Sequence, residues 1–216
     1  LIPSRHIPNL VTMSRLVLAV AAFGFLGELL EADPSDTTKI KNSAFWAFWF
    51  FLVAAISDFL DGWLARRNGW VTAFGRVADP VVDKVLTLGA LIYMGATDNL
   101  AMEGDFFAVV PVWAVVLLLA REFLVTALRG LVESHGLSFG ADGLGKLKLI
   151  LQVVYIAVPL GVTGGIPDFV YLPFLDFTRN PYVFATLTFA VVGLTVLSGL
   201  NYCVRGVKLL AGTELK

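Results

Sequence analysis

Long apolar runs separated by short polar stretches organise this chain. The first run, residues 10–30, follows Pro8 and Asn9 and is interrupted on one side by Thr12, Ser14 and Arg15. A bilayer core needs about 20 residues of helix, so it is long enough to span; with Pro8 and Asn9 the helix is predicted over 8–30. A polar loop at 31–42 leads to a second predicted helix at 44–67, with Trp46 and Trp49 toward one end and Trp63 toward the other. That placement suits an aromatic belt at each membrane interface. A third helix is predicted over 79–97, opening on Asp79 with Pro80 tolerated in its first turn. An acidic loop at 98–105 precedes a fourth helix at 106–133, and a glycine-rich loop at 136–145 a fifth at 144–162. A long connection at 164–181, rich in prolines and aromatics and suited to the membrane surface, leads to a sixth helix at 183–204. Arg205, Lys208 and Lys216 form a basic tail beyond it.

Composition fits this pattern. Hydrophobic residues make up 57% of the chain and charged residues 15%, against the roughly 25% usual in soluble domains, and mean hydropathy is +0.80. The expectation is an all-α integral membrane protein forming one domain over 1–216, with no second domain, low-complexity tract or internal repeat. A net charge of −1 says little in such a chain. Cys203, the single cysteine, has no partner for an intrachain disulfide. Residues 1–8 are too short and polar for a cleavable signal. Six helices place both termini on one side, where thirteen Lys and Arg residues fall; only Lys39, Lys41 and Arg179 lie opposite. The positive-inside rule then puts both termini at the cytoplasmic face of the cell membrane.

Against this apolar background one stretch is dense in acids. Asp58, Asp61-Gly62, Ala65-Arg66, Gly75, Asp79 and Asp83 stand at fixed offsets between 58 and 83. Asp58 and Asp61 are three apart, Asp79 and Asp83 four apart, so in helices each pair projects from one face. Asn68, Gly69, Thr72 and Gly75 are turn-type residues that fold the second helix back beside the first, and the four carboxylates would converge. Hard divalent cations neutralise such a cluster, and oxygen-only ligands suit magnesium, manganese or calcium rather than zinc. Gly62 and Ala65 leave the Asp58 face bare for a bulky ligand, and Arg66 offers a guanidinium fork to a phosphate oxygen. Together they describe a site for a metal-bound diphosphate, with a carboxylate to spare for deprotonating an attacking hydroxyl. Taken singly, each Asp is equally well an interfacial charge facing water. The eight positions together are not, because chance supplies them at a given start with a probability on the order of 10⁻¹⁰ at average residue frequencies.

Two further polar sets stand out. Asn9, Thr12 and Arg15, three apart, share a face at the start of the first helix, as a cap with a snorkelling arginine or as ligand contacts. Arg121, Arg129, Lys146 and Lys148 fall at one end of the fourth and fifth helices, suiting either a phosphate on a second substrate or anionic lipid headgroups. Adjacent Arg121 and Glu122 should not face each other on a helix, so each needs another partner or a watery cavity.

The 58–83 pattern resembles, without departure, the signature of the CDP-alcohol phosphotransferases. These membrane enzymes move a phosphatidyl or related group from a CDP-linked donor onto an alcohol and release CMP. The signature covers about an eighth of the chain. The runs Ile7-Pro8-Asn9-Leu10, Ala120-Arg121-Glu122, Ala127-Leu128-Arg129 and Gly145-Lys146-Leu147-Lys148 resemble the branch that makes phosphatidylglycerolphosphate, and extend the similarity over most of the first five helices.

The resemblance implies the family's six-transmembrane-helix bundle, a homodimer, and CDP-diacylglycerol and glycerol-3-phosphate as substrates. It further implies Asp58, Asp61, Asp79 and Asp83 as ligands of two Mg²⁺ or Mn²⁺ ions, with Asp83 also the base. Asn9, Thr12, Gly62, Ala65, Arg66, Thr72 and Gly75 would bind the CDP part, and Arg121, Arg129, Lys146 and Lys148 the acceptor phosphate. Membrane lipid is an expected partner and nucleic acid is not. Rival readings keep the fold with inositol phosphate, serine or phosphatidylglycerol as acceptor. A transporter lined by the same charges is a different class, but would place them near the midplane.

Overall fold

The computed structural model describes residues 7–68, 73–100, 110–137, 143–167 and 181–214, with side chains described over 13–57, 81–100, 110–137, 143–167 and 184–211. Within these, the chain forms six helices: α1 (Ile7–Glu31), α2 (Thr37–Asn68), α3 (Ala73–Ala96), α4 (Val112–Ser134), α5 (Gly143–Thr163) and α6 (Pro181–Glu214). No strand occurs among the described residues.

Side-chain chemistry explains where the helices begin and end. Asp36 caps α2: its Oδ1 accepts the backbone N–H of Lys39 at 3.0 Å, satisfying one of the orphan donors of the first turn. The helix therefore starts at Thr37, and the polar loop expected over 31–42 shrinks to a tight turn. In that turn the hydroxyl and backbone N–H of Ser35 both donate to Asp33, holding its carboxyl below the usual carboxylate range. At the C-terminus of α4, Leu137 N–H donates to Val132 O and Gly136 N–H to Glu133 O, a Schellman motif with Gly136 at φ +72°. The same motif ends α5 through Ile166 N–H to Gly161 O and Gly165 N–H to Val162 O, with Gly165 at φ +69°.

Two boundaries differ from the sequence expectation more sharply. α3 begins at Ala73, so Pro80 is its eighth residue and not part of a first turn. A proline deletes one N–H bond and strains the preceding turn, yet helices at membrane depth tolerate it where neighbouring groups take up the freed carbonyl. Pro159 likewise lies inside α5. α6 runs on to Glu214, ten residues past the expected end, so Arg205 and Lys208 are helical and not a tail.

The helices neighbour one another in the order α1–α2–α5–α6–α4–α3, and α3 returns to α1, closing a ring. α3 also touches α5 and α2 across the interior. Ala44, Ala47, Phe48, Phe51 and Ala54 form the buried stripe of α2, at helical spacing, against Leu26 and Leu29 of α1 and Tyr155 to Leu160 of α5. A smaller cluster of Val125, Val132 and Tyr202 joins α4 to α6.

The outside of the ring is apolar. Val17, Val20, Leu197, Leu200 and Val207 are all exposed, along with Trp46 and Phe123. Conversely Arg15, Thr87, Lys148, Gln152, Thr195 and Ser198 are buried within. An exposed apolar surface around an interior that buries charged and polar side chains marks a protein solvated by lipid. Among the described residues, four helical segments are long and apolar enough to cross a membrane: Met13–Glu31, Thr37–Ser57, Gly143–Thr163 and Phe184–Ala211. α4 has the length but carries Arg121, Glu122 and Arg129 in its middle, and those charges face a cavity and not lipid.

Candidate active site

The backbone of the acidic stretch is helical on both sides of residues 69–72. Asp58 and Asp61 lie on α2, Asp79 and Asp83 on α3, and the two helices touch. Unbroken helix through each pair keeps its two carboxylate positions on one helical face, as divalent-cation ligands require. Of these four, Asp83 has a described side chain. Those of Asp58, Asp61 and Asp79, with Gly62, Ala65, Arg66, Thr72, Gly75, Asn9 and Thr12, lie outside the described residues, and no three metal-ligating side chains cluster among the described ones.

Asp83 is half-buried and opens into a cavity of about 500 Å³. One turn further along α3, Thr87 borders the same space and donates its hydroxyl to the Asp83 carbonyl at 3.0 Å. Across the cavity stand all four basic residues singled out in the sequence: Arg121 and Arg129 from α4, Lys146 and Lys148 from α5. They are graded in depth. Lys148 is buried and Arg121 mostly so, whereas Arg129 and Lys146 are exposed at the cavity's rim.

Glu122 ties the inner pair together. Its Oε1 accepts Arg121 Nη1 at 2.9 Å and also accepts Lys148 Nζ, so one carboxylate oxygen bridges α4 and α5. Adjacent residues on a helix were not expected to meet; the arginine and glutamate side chains instead curl along the cavity wall until their ends do. Arg121 Nη2 donates to Ser198 of α6 at 3.0 Å, and its guanidinium carbon lies 5.6 Å from the Tyr202 ring centroid, a cation–π approach. The arginine thus docks on α6 through two side chains, with its fork fixed beside the cavity. The net result is an inner wall carrying two cations and one anion, its positive excess aimed at the space that Asp83 borders.

Lys84, Thr126, Gln152 and Tyr202 also line the cavity, and sequence reasoning gave none of them a role in it; Glu122, for which it asked for a partner or a watery cavity, has both. A signal existed for Gln152, which stands four residues after Lys148 and so on the same helical face. None existed for Lys84 or Tyr202, whose place depends on which helices pack together. Arg15 is 2% exposed, so it is enclosed by protein and does not snorkel to a surface.

Six helices with an apolar exterior, enclosing a polar cavity where a carboxylate faces a set of cations, define a membrane-embedded protein that handles an anionic substrate. The family model for CDP-alcohol phosphatidyltransferase matches residues 5–197, and the chain belongs to that family. It is 31% identical over 205 residues to a Bacillus subtilis protein named CDP-diacylglycerol--glycerol-3-phosphate 3-phosphatidyltransferase, covering 91% of this chain and 93% of the relative. A Mycobacterium tuberculosis protein named probable phosphatidylglycerophosphate synthase is 36% identical over 208 residues, 96% of this chain and 84% of that one. A Rickettsia typhi relative bearing the same name as the Bacillus protein is 31% identical over 199 residues, 92% of this chain and 95% of its own.

Proposed function

We propose that this protein transfers the phosphatidyl group of CDP-diacylglycerol to glycerol-3-phosphate, giving phosphatidylglycerolphosphate and CMP in phospholipid synthesis. The observation that carries this reading is that Asp83 and Arg121, Arg129, Lys146 and Lys148 line one and the same cavity. A small acceptor bearing both a phosphate and a primary hydroxyl needs that pairing: cations for one end and a base for the other. The relatives' names favour the same substrates.

In this reading Asp58, Asp61, Asp79 and Asp83 hold two Mg²⁺ or Mn²⁺ ions, which when bound neutralise the donor diphosphate. Asn9, Thr12, Gly62, Ala65, Arg66, Thr72 and Gly75 cradle the CDP portion. Lys148 and Arg121, set in place by Glu122 and Ser198, grip the acceptor phosphate from within, with Arg129 and Lys146 at the rim. Asp83 takes the proton of the acceptor hydroxyl as its oxygen forms a bond to the phosphorus bearing diacylglycerol. The bond from that phosphorus to the CMP oxygen breaks, and CMP leaves. Fixing both acceptor ends in one enclosed space turns an encounter of two substrates into an oriented displacement.

The excess of Lys and Arg expected at this end of the bundle favours a cytoplasmic side for the cavity mouth and both termini. The working unit is a homodimer, on the strength of the resemblance.

The test is CMP release by purified protein with CDP-diacylglycerol and magnesium, comparing glycerol-3-phosphate, inositol phosphate, serine and phosphatidylglycerol as acceptors. Release with glycerol-3-phosphate alone, abolished by chelator, is expected. Release only with another acceptor would move the reaction within the family, and none with any acceptor would reopen a transport role.

A further inference from the structure

Gln152 is a buried polar side chain with an unfinished hydrogen-bond set. It is 1% exposed, it lines the cavity, and its Nε2 has no hydrogen-bond partner among the described residues. Arg121 Nε, on the same cavity wall, is also without one. A buried donor with no acceptor is destabilising and is rarely kept unless a ligand supplies the missing atom. Two buried donors on residues that line the cavity therefore lack an acceptor.

Which oxygen Gln152 takes follows from charge. A phosphate dianion finds five cations in this cavity, two of them, Arg121 and Lys148, deep inside. The hydroxyl that reacts belongs beside Asp83. A neutral amide matches a neutral hydroxyl, which accepts one hydrogen bond and donates another. Glu122 lines the same cavity as Gln152, so a carboxylate is present there to accept the hydrogen bond that the hydroxyl donates.

We propose that Gln152 is a specificity residue for the acceptor. Its Nε2 donates to the secondary hydroxyl of the three-carbon acceptor, the one that does not react, while Glu122 accepts that hydroxyl's hydrogen bond. The inference rests on the glycerol-3-phosphate reading above. A site built to hydrogen-bond a hydroxyl rejects the analogue lacking it, because the site's own polar groups are then left unpaired.

The probe is 3-hydroxypropyl phosphate, which keeps the phosphate and the primary hydroxyl and lacks the secondary one. Wild-type protein should favour glycerol-3-phosphate over it by roughly a hundredfold in kcat/KM. Gln152→Leu and Gln152→Met should shrink that ratio to less than about threefold, mostly by raising KM for glycerol-3-phosphate, with KM for CDP-diacylglycerol unchanged. The thermal shift produced by inorganic phosphate should be the same in all three proteins. Ligand-free melting should hold steady or rise in the variants, since an unpaired donor has been removed. Equal losses with both acceptors, an unchanged ratio, or unfolding of both variants would overturn the proposal by assigning Gln152 to phosphate binding or to structure. Wild-type protein inactive with glycerol-3-phosphate but active with another acceptor would instead overturn the reading on which it rests.

Discussion

Lys84 of α3 donates from Nζ to Thr126 Oγ1 of α4. Thr126 donates its own hydroxyl hydrogen bond to the Glu122 backbone carbonyl at 2.7 Å. Lys84 directly follows Asp83, so this bond fixes the carboxylate-bearing turn of α3 against the helix that carries Arg121 and Arg129. Its role is one of position. Lys84→Met should lower kcat on the order of tenfold, the scale of a small misplacement of a reacting group, while leaving KM for CDP-diacylglycerol near wild type. Steady-state kinetics separate the two, and an unchanged kcat would release Lys84 from this role.

Glu122 holds two cations apart as much as it holds them in place. Glu122→Ala leaves Arg121 and Lys148 facing each other without their anion, and breaking a buried pair by removing one partner costs about 3 kcal/mol or more. The melting temperature should fall and KM for glycerol-3-phosphate rise. Adding Lys148→Met to Glu122→Ala should recover much of the stability without recovering activity. A double-mutant cycle by thermal unfolding in detergent measures the coupling, and additive losses would argue against it.

Asp58→Asn and Asp79→Asn keep side-chain size while removing a charge from the proposed metal ligands. Turnover should drop by at least about a thousandfold, a loss of roughly 4 kcal/mol of transition-state stabilisation, with the melting temperature little changed. Chelator should do the same to wild-type protein, and added magnesium or manganese should restore it. Normal turnover in either variant would remove that residue from the metal set.

Gly164 marks where α5 meets the start of α2. A Cβ built there would lie 2.8 Å from the backbone of Phe45, which cannot swing away as a side chain end can. Gly164→Ala should therefore destabilise by about 1–3 kcal/mol. Gly136→Ala meets open space but is held at φ +72°, so it should cost about 1–2 kcal/mol through backbone strain alone. Thermal melting of both variants distinguishes a clash from a strained dihedral only if each is compared with Gly130→Ala, which meets open space at a helical φ and should be neutral or stabilising.

Much of this molecule is written locally. Runs of about twenty apolar residues fix helices because lipid offers no partner to an unpaired backbone, and the acids of 58–83 betray themselves because charge in such a chain needs a reason. The four cations of the fourth and fifth helices were legible as a set for the same reason. Boundaries were less so. Thr37 opens α2 because Asp36 turns one side chain back on it, and Pro80 sits inside α3 because a proline discourages a helix without forbidding it.

Sequence by itself determined the membrane character, the helical class, the acidic motif and the types of charge a substrate would meet. Tertiary structure alone decided which charges share a space. Asp83 and Lys148 are 65 residues apart in sequence and border one cavity only because α3 lies against both α4 and α5. It also decided that Arg121 meets its neighbour Glu122, and that Gln152 is buried with a donor to spare. The physical reason is one of range. Hydrophobicity and helix caps act over a few residues and can be read along the chain, whereas the pairing of buried polar groups depends on which helices pack side by side.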